Sequence, residues 1–318
     1  MEDKLRILNF ELNHVKEARE IAIANYNEER ECVQILPCID IFPDLEQFAS
    51  NELGVAAFDG SRMVGFLCSY KPWDNAFGSM AKGIFSPIHA HGAIKENRGM
   101  IYKQMYQAAA EKWVKNKIAY HAVALYAHDY ESINAFFTYG FGLRCIEAIR
   151  PMELLEHPVC GDITFGELAK TEVIQVREMR RMLSEHMSSS PCFMYTSLKD
   201  FEQSLIHEEG RNSRLFVARD KEKLIAFVEI TNGGENFVTE VDGMLNICGA
   251  YCLPEYRGKN IYHSLLNYTS LLLESEGYKL LGVEFEGFNP TAKGFWTKYF
   301  TAYTNSVVRR IDECAFHD

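Results

Sequence analysis

The residues best equipped for chemistry lie in the run Tyr251-Cys-Leu-Pro-Glu-Tyr-Arg-Gly-Lys-Asn-Ile-Tyr262. An apolar stretch closes at Pro254, a polar loop with Arg257, Gly258 and Lys259 follows, and helical spacing resumes at Ile261. Such a strand, loop and helix leave successive backbone N–H groups pointing into space above a helix N-terminus, where the macrodipole adds roughly half a positive charge. The chemistry is anion binding, and it suits a pyrophosphate. Elsewhere carboxylates recur at Glu229 on one strand-like stretch, Asp242 just before the next, and Glu284 and Glu286 on a third. Glu284 and Glu286 share one side of their strand because side chains alternate. Two carboxylates so placed can bind a cation or share a proton.

Other reactive side chains point to structure rather than catalysis. His89-Ala-His91 puts two imidazoles on one strand face, and His121 and His128 lie in the same half. No third ligand stands at metal-site spacing, so no metal is expected. Cys248 and Cys252, four apart on a strand, read as small buried hydrophobes, since no histidine neighbour is evident to lower a thiol pKa.

The elements that must position these residues follow from periodicity. Lys170 to His186 reads as a helix, with Val173, Val176, Met179 and Leu183 at helical spacing. Arg214–Ala218 and Leu224–Ile230 read as strands around the turn Asp220-Lys-Glu-Lys223. Met244–Leu253 is a strand; Ile261, Leu265, Tyr268 and Leu272 mark an amphipathic helix that ends near Gly277. Tyr278–Phe285 is strand-like, and Pro290 to Tyr299 a short helix with proline in its first turn. In the first half, Met63–Ser69, Ile84–His91, Met100–Lys115 and Tyr120–Tyr126 fill the matching roles.

That correspondence is a repeat. A shift of 159 positions lays Ile88, Glu96, Arg98, Gly99, Phe136, Thr138 and Phe141 on Ile247, Glu255, Arg257, Gly258, Phe295, Thr297 and Phe300. The sequence therefore reads as two copies of one α+β fold with a mixed sheet, residues 1–152 and 160–318, joined near Glu153–Gly161.

Composition bounds the function. The 318 residues are 47% hydrophobic and 24% charged, which excludes disordered and fibrous classes. Thirty-three basic against 44 acidic side chains give a net charge of −11, so a nucleic-acid surface is not expected and a cationic ligand is more natural. Nine cysteines without a Cys-x-x-Cys argue for reduced thiols. Mean hydropathy is −0.18. With no bilayer-length apolar run and no signal-like start, the expectation is a cytoplasmic protein with no membrane association. A homodimer is compatible with the sequence, which does not specify one.

Pro254-Glu-Tyr-Arg-Gly-Lys259, followed by Asn289-Pro290 and Phe295-Trp-Thr-Lys-Tyr-Phe300, resembles the GNAT superfamily of acyl-CoA N-acyltransferases, and both halves share the likeness. The resemblance implies tandem GNAT-like domains and acetyl-CoA as cofactor, held in the C-terminal copy by Cys252, Leu253, Arg257, Gly258, Lys259, Asn260, Ile261, Tyr262, Asn289 and Trp296. It implies acyl transfer to a primary amine of a small molecule or peptide. Glu284, Glu229 and Asp242 are the candidate bases, and Tyr299 or Tyr251 the acid, because Trp296 occupies the usual tyrosine position. Asn260 and Tyr262 stand where the family loop usually carries small residues; of the two, Asn tolerates a left-handed backbone. The first copy, Lys95-Glu-Asn-Arg-Gly-Met-Ile-Tyr102, lacks the proline, the lysine and the glycines. It reads as a degenerate half. The competing reading is a non-catalytic acyl-CoA-binding or protein-interaction module.

Overall fold

The computed structural model describes residues 5–155, 161–210 and 212–316. The chain forms two compact units: one runs up to Ile146 and takes in the segment from Ala302 onward, and the other is Glu147–Thr301. These bounds do not coincide with the halves of the repeat. Part of the junction read from the sequence, including Cys160, lies outside the described residues.

The first unit opens with β1 (Arg6–Asn9) and α1 (Val15–Cys32), then α2 (Glu46–Ala49), β2 (Val55–Asp59) and β3 (Arg62–Leu67). β4 (Lys82–Ser86), β5 (His91–Ala93), α3 (Arg98–Lys115), β6 (Ile118–Tyr126) and α4 (Tyr130–Thr138) follow. The boundary between the units falls within β7 (Gly142–Pro151). One antiparallel sheet has the order β1-β2-β3-β5, while β4 runs parallel to β6. The other edge of β6 is covered by the chain's last strand, Thr301–Arg310, paired antiparallel from Thr304↔Tyr126 to Arg310↔Tyr120. A bare β6 edge would leave a row of unpaired backbone groups, and Val307 carries this strand into the core of the unit.

That core is aromatic. Tyr106 meets Trp113, Phe136 and Phe141 edge-on at 6.1, 5.7 and 5.0 Å, and Trp113 Nε1 donates to Leu53 O at 3.1 Å. The run Ile84–His91 is not one strand: β4 ends at Ser86, a turn returns Ala90 N–H to Pro87 O, and β5 starts at His91 in the other sheet. His89 therefore lies in the turn, off the strand face it was expected to share. His91 bridges Tyr102 Oη at 2.8 Å and Ala124 O at 2.5 Å, and His121 bridges Tyr106 Oη and Ile118 O at 3.0 and 3.2 Å.

The second unit contains β8 (Ile163–Glu167), α5 (Arg177–Ser188), α6 (Leu198–Gly210), β9 (Ser213–Asp220) and β10 (Lys223–Thr231), then β11 (Met244–Cys252), α7 (Ile261–Ser275), β12 (Leu280–Glu286) and α8 (Pro290–Tyr299). The terminal strand Thr301–Arg310 is β13. The strand order is β12-β11-β10-β9-β8, antiparallel except for β11 against β12. α7 packs on β8, β9 and β10, and α8 on β12. The first turns of the helix expected from Lys170 are 3-10, and the α-helix starts at Arg177. Cys248 is exposed, not a buried hydrophobe. Cys32, Cys38, Cys68, Cys192, Cys252 and Cys314 are unbridged. No helix of the described residues is long and apolar enough to cross a membrane.

Two outcomes follow from this packing. Trp113→Ala should lower unfolding free energy by about 3–5 kcal/mol in a denaturant titration, through cavity formation; an unchanged midpoint would contradict the core described. Burial pushes His89, His91 and His121 each down to about 4, below the unfolded value near 6.5. Their neutral forms thus give full stability above about pH 6.5, which is lost as pH falls towards 4. Thermal melts across pH 7 to 4 should show that decline, and replacing His121 by a neutral side chain should flatten it.

Candidate active site

The loop after β11 takes its shape from two left-handed residues. Leu253 N–H donates to Ile225 O, a single 3-10 turn spans Pro254–Tyr256, and Arg257 N–H returns to Pro254 O. Gly258 then adopts φ +74, with nothing within 4 Å of where a Cβ would sit, and Asn260 adopts φ +59. Asn is among the few side chains that enter this region at modest cost. α7 begins immediately after, with neither a side-chain cap nor an acidic residue in its first turn. The positive end of the helix dipole therefore lies at this loop. Arg257 Nε donates to Cys252 O at 2.9 Å and its guanidinium lies 5.3 Å over the Tyr251 ring, which fixes the cation at the rim.

A cleft of about 380 Å³ opens here. Of the residues expected to hold a cofactor, Cys252, Arg257, Gly258, Asn260, Ile261, Tyr262, Asn289 and Trp296 line it. Leu253 is buried beneath it, and Lys259 places its ammonium 5.3 Å over the Tyr256 ring. Tyr262 does not fill the loop: its ring turns into α8, edge-on to Phe295 at 5.2 Å and Trp296 at 6.0 Å. Its hydroxyl is buried without a hydrogen-bond partner among the described residues. Asn289 caps α8, accepting from the N–H groups of Thr291 and Ala292 at 3.1 and 3.4 Å, so its side chain serves the helix as well as the wall. Burial pushes the Cys252 thiol up to about 11, leaving it protonated and unreactive.

Tyr299 lines the cleft and its Oη is hydrogen-bonded to His263 Nε2. His263 and His186, also on the wall, were missed from the sequence. The partner of His263 is 36 residues away and the contact of His186 with Asn289 spans 103, so no local spacing signals either. Tyr251 lies on the same wall, its phenol pushed up chiefly by burial.

The ladder between β11 and β12 pairs Met244–Ile247 with Leu280–Val283 and ends there. At that level the register of β10 against β11 steps from Ile230↔Ile247 to Glu229↔Gly249, so Cys248 is the extra residue of a bulge. A smaller cleft of about 240 Å³ sits at this break, lined by Cys248, Asn246, Glu147 and Glu284. Glu284 is thus on a cleft wall. Glu229, by contrast, is 3% exposed, with one carboxylate oxygen on Arg180 at 2.8 Å and the other on Ser213 Oγ at 2.6 Å. Asp242 is exposed and lines neither cleft. The structure therefore gathers Tyr299 with the loop, puts Glu284 at the strand break, and holds Glu229 in an ion pair.

The corresponding stretch of the first half is built differently. Arg98, the match of Arg257, lies inside α3 and pairs with Glu28 through two bonds of 2.8 and 3.0 Å, with Asp129 at 3.5 Å. Gly99 N–H, in the first turn of α3, donates to Glu131 Oε2 at 3.1 Å. Carboxylates of the unit itself occupy the place an anion would take.

Residues 178–300 match the Acetyltransferase (GNAT) family. Among solved structures, a GCN5-related N-acetyltransferase from Sphaerobacter thermophilus aligns over 98% of this chain and 96% of its own, with a TM-score of 0.59 at 12% identity. A glucosamine N-acetyltransferase region in a fungal multi-domain β-N-acetylglucosaminidase aligns over 96% of this chain and 38% of that one, with a TM-score of 0.51 at 12% identity. At such identities the likeness is one of fold. No curated protein matches the sequence.

The backbone at residue 260 supplies a direct check on the loop. Asn260→Gly should leave the melting temperature within a degree or two. Asn260→Val, β-branched at φ +59, should cost about 1–2 kcal/mol in denaturant unfolding; equal stability of the two variants would contradict the left-handed turn.

Proposed function

Taking residues 178–300 as a GNAT acetyltransferase domain, we propose that the second unit binds acetyl-CoA in the larger cleft and transfers its acetyl group to a primary amine admitted at the smaller one. The observation that carries this reading is the uncapped first turn of α7 below the left-handed residues Gly258 and Asn260. The residues fit the cofactor. The N–H groups of that turn and the Arg257 guanidinium are anion donors suited to a pyrophosphate. The Tyr262 hydroxyl, buried without a hydrogen-bond partner among the described residues, adds a further polar group at the wall.

When bound, acetyl-CoA supplies the acyl group as an activated thioester. The remaining work falls to this chain. Beyond Ile247, β11 leaves its ladder with β12, and Ala250, Tyr251 and Cys252 line the larger cleft; a backbone N–H on that open strand edge stabilises negative charge on a carbonyl oxygen. Glu284, at the strand break, accepts the proton of the incoming ammonium, and Glu147, held by Asn236 Nδ2 at 2.7 and 2.8 Å, adds negative charge that favours a cationic acceptor. Tyr299 Oη holds the proton for the leaving sulfur, with His263 Nε2 hydrogen-bonded to it so that the phenol can be reprotonated. Glu229, tied to Arg180 and Ser213, fixes β10 against α5 beneath the bulge.

The test is calorimetric titration of acetyl-CoA into the wild type and into Gly258→Glu, followed by free-thiol release over a panel of primary amines. The expected result is stoichiometric binding that Gly258→Glu abolishes, and amine-dependent thiol release that Tyr299→Phe and Glu284→Gln each slow by about 10²-fold in kcat. Binding without release over the whole panel would turn the assignment to an acyl-CoA-binding module, and no binding would remove it.

A further inference from the structure

The first unit has a cleft of its own, about 320 Å³, at the N-terminus of α3. We propose that this cleft binds a small organic ammonium ion, held by the carboxylates of Glu28, Glu29, Glu31, Asp129 and Glu131 and by the Tyr126 hydroxyl. It is independent of the acetyl-CoA assignment, which concerns other residues in the other unit.

Two separate observations support it. The first is charge: five carboxylates line the cleft against two cations, Lys95 and Arg98. Arg98 is already committed to Glu28 and Asp129, and Gly99 N–H to Glu131. The donors that would receive an anion are thus spent on the unit's own carboxylates, and the field inside the cleft is negative. His128 also meets the cleft's acids, its Nδ1 and backbone N–H both engaging Glu29, at 2.7 and 3.2 Å.

The second observation is Tyr126. It is 5% exposed and lines the cleft, and its hydroxyl is shut off from solvent without a hydrogen-bond partner among the described residues. A buried hydroxyl with no partner is unfavourable unless a ligand completes it. An N–H donor from an ammonium would do so, since the phenol oxygen has acceptor capacity to spare. The class of cation follows from the wall. The rings of Tyr126 and Tyr130 suit a weakly hydrated organic cation by cation–π attraction. No trio of His, Cys, Asp or Glu among the described residues has the geometry to hold a metal ion.

The test is calorimetric titration of 1,4-diaminobutane and of butylammonium into the full-length wild type, Tyr126→Phe, Glu31→Gln and Gly258→Glu. The expected result is saturable binding that survives in Gly258→Glu, weakens about tenfold in Tyr126→Phe and severalfold in Glu31→Gln, and is absent with butyrate. Acetyl-CoA titration of Tyr126→Phe should match the wild type, which separates this site from the other cleft and shows that the variant folds. Should Tyr126→Phe prove unfolded, the exposed Glu31→Gln carries the comparison. Amine binding that Gly258→Glu abolishes, that neither first-unit variant weakens, or that magnesium displaces stoichiometrically would overturn the proposal, as would no binding at all.

Discussion

Every α-helix begins with N–H groups that have no acceptor within the helix, and the two units answer this requirement in opposite ways. α4 uses Asp129 and α8 uses Asn289 as side-chain caps. α3 is met from outside its own sequence, by Glu131 at Gly99. α7 has no side-chain cap and no acid in its first turn. The left-handed residues Gly258 and Asn260 carry the preceding loop over that end of the helix dipole. In the first unit, carboxylates engage the corresponding groups, Glu131 at Gly99 and Glu28 at Arg98.

The second constraint is the early end of the parallel ladder between β11 and β12. A bulge places Cys248 outside the β10 register and coincides with the last paired residues, Ile247 and Val283. A sheet continued in register would close the space between the strands with hydrogen bonds. Ending it at the bulge leaves one cleft along Ala250–Cys252 and another at Cys248 and Glu284. Around them the aromatic residues of α7 and α8 form a wall: Phe295 packs on Tyr262, His263, Trp296 and Tyr299 at 4.9 to 5.2 Å. That packing explains how a tyrosine at 262 coexists with an open cleft beside the loop, because the bulk is directed into the helix pair.

Much of the second unit was legible from local pattern. Pro290 to Tyr299 is a helix capped by the asparagine before it, and Ile261 to Ser275 follows the apolar spacing read from the sequence. The left-handed conformation of Asn260 accords with the tolerance of that side chain. What was not legible depended on distance along the chain. Glu229 has the type of a general base, but its neighbours Arg180 and Ser213 stand 49 and 16 residues away. His263 gained its relation to Tyr299 only when α7 met α8. The run Ile84–His91 looked like one apolar strand, yet Pro87 turns it and its two ends enter different sheets.

The sequence by itself determined the α+β class and the strand, loop and helix around Gly258, because each rests on short-range sterics and periodicity. Only the tertiary structure decided which unit the last strand completes: Thr301–Arg310 belongs to the second half of the repeat, yet from Ala302 it joins the first unit, along the edge of β6. Only the tertiary structure put Arg98 among carboxylates and left the Tyr126 hydroxyl without a hydrogen-bond partner among the described residues. Pairing edges and buried charges are settled by whatever the folded chain brings alongside them, and that information lies in contacts between distant residues rather than in any local run.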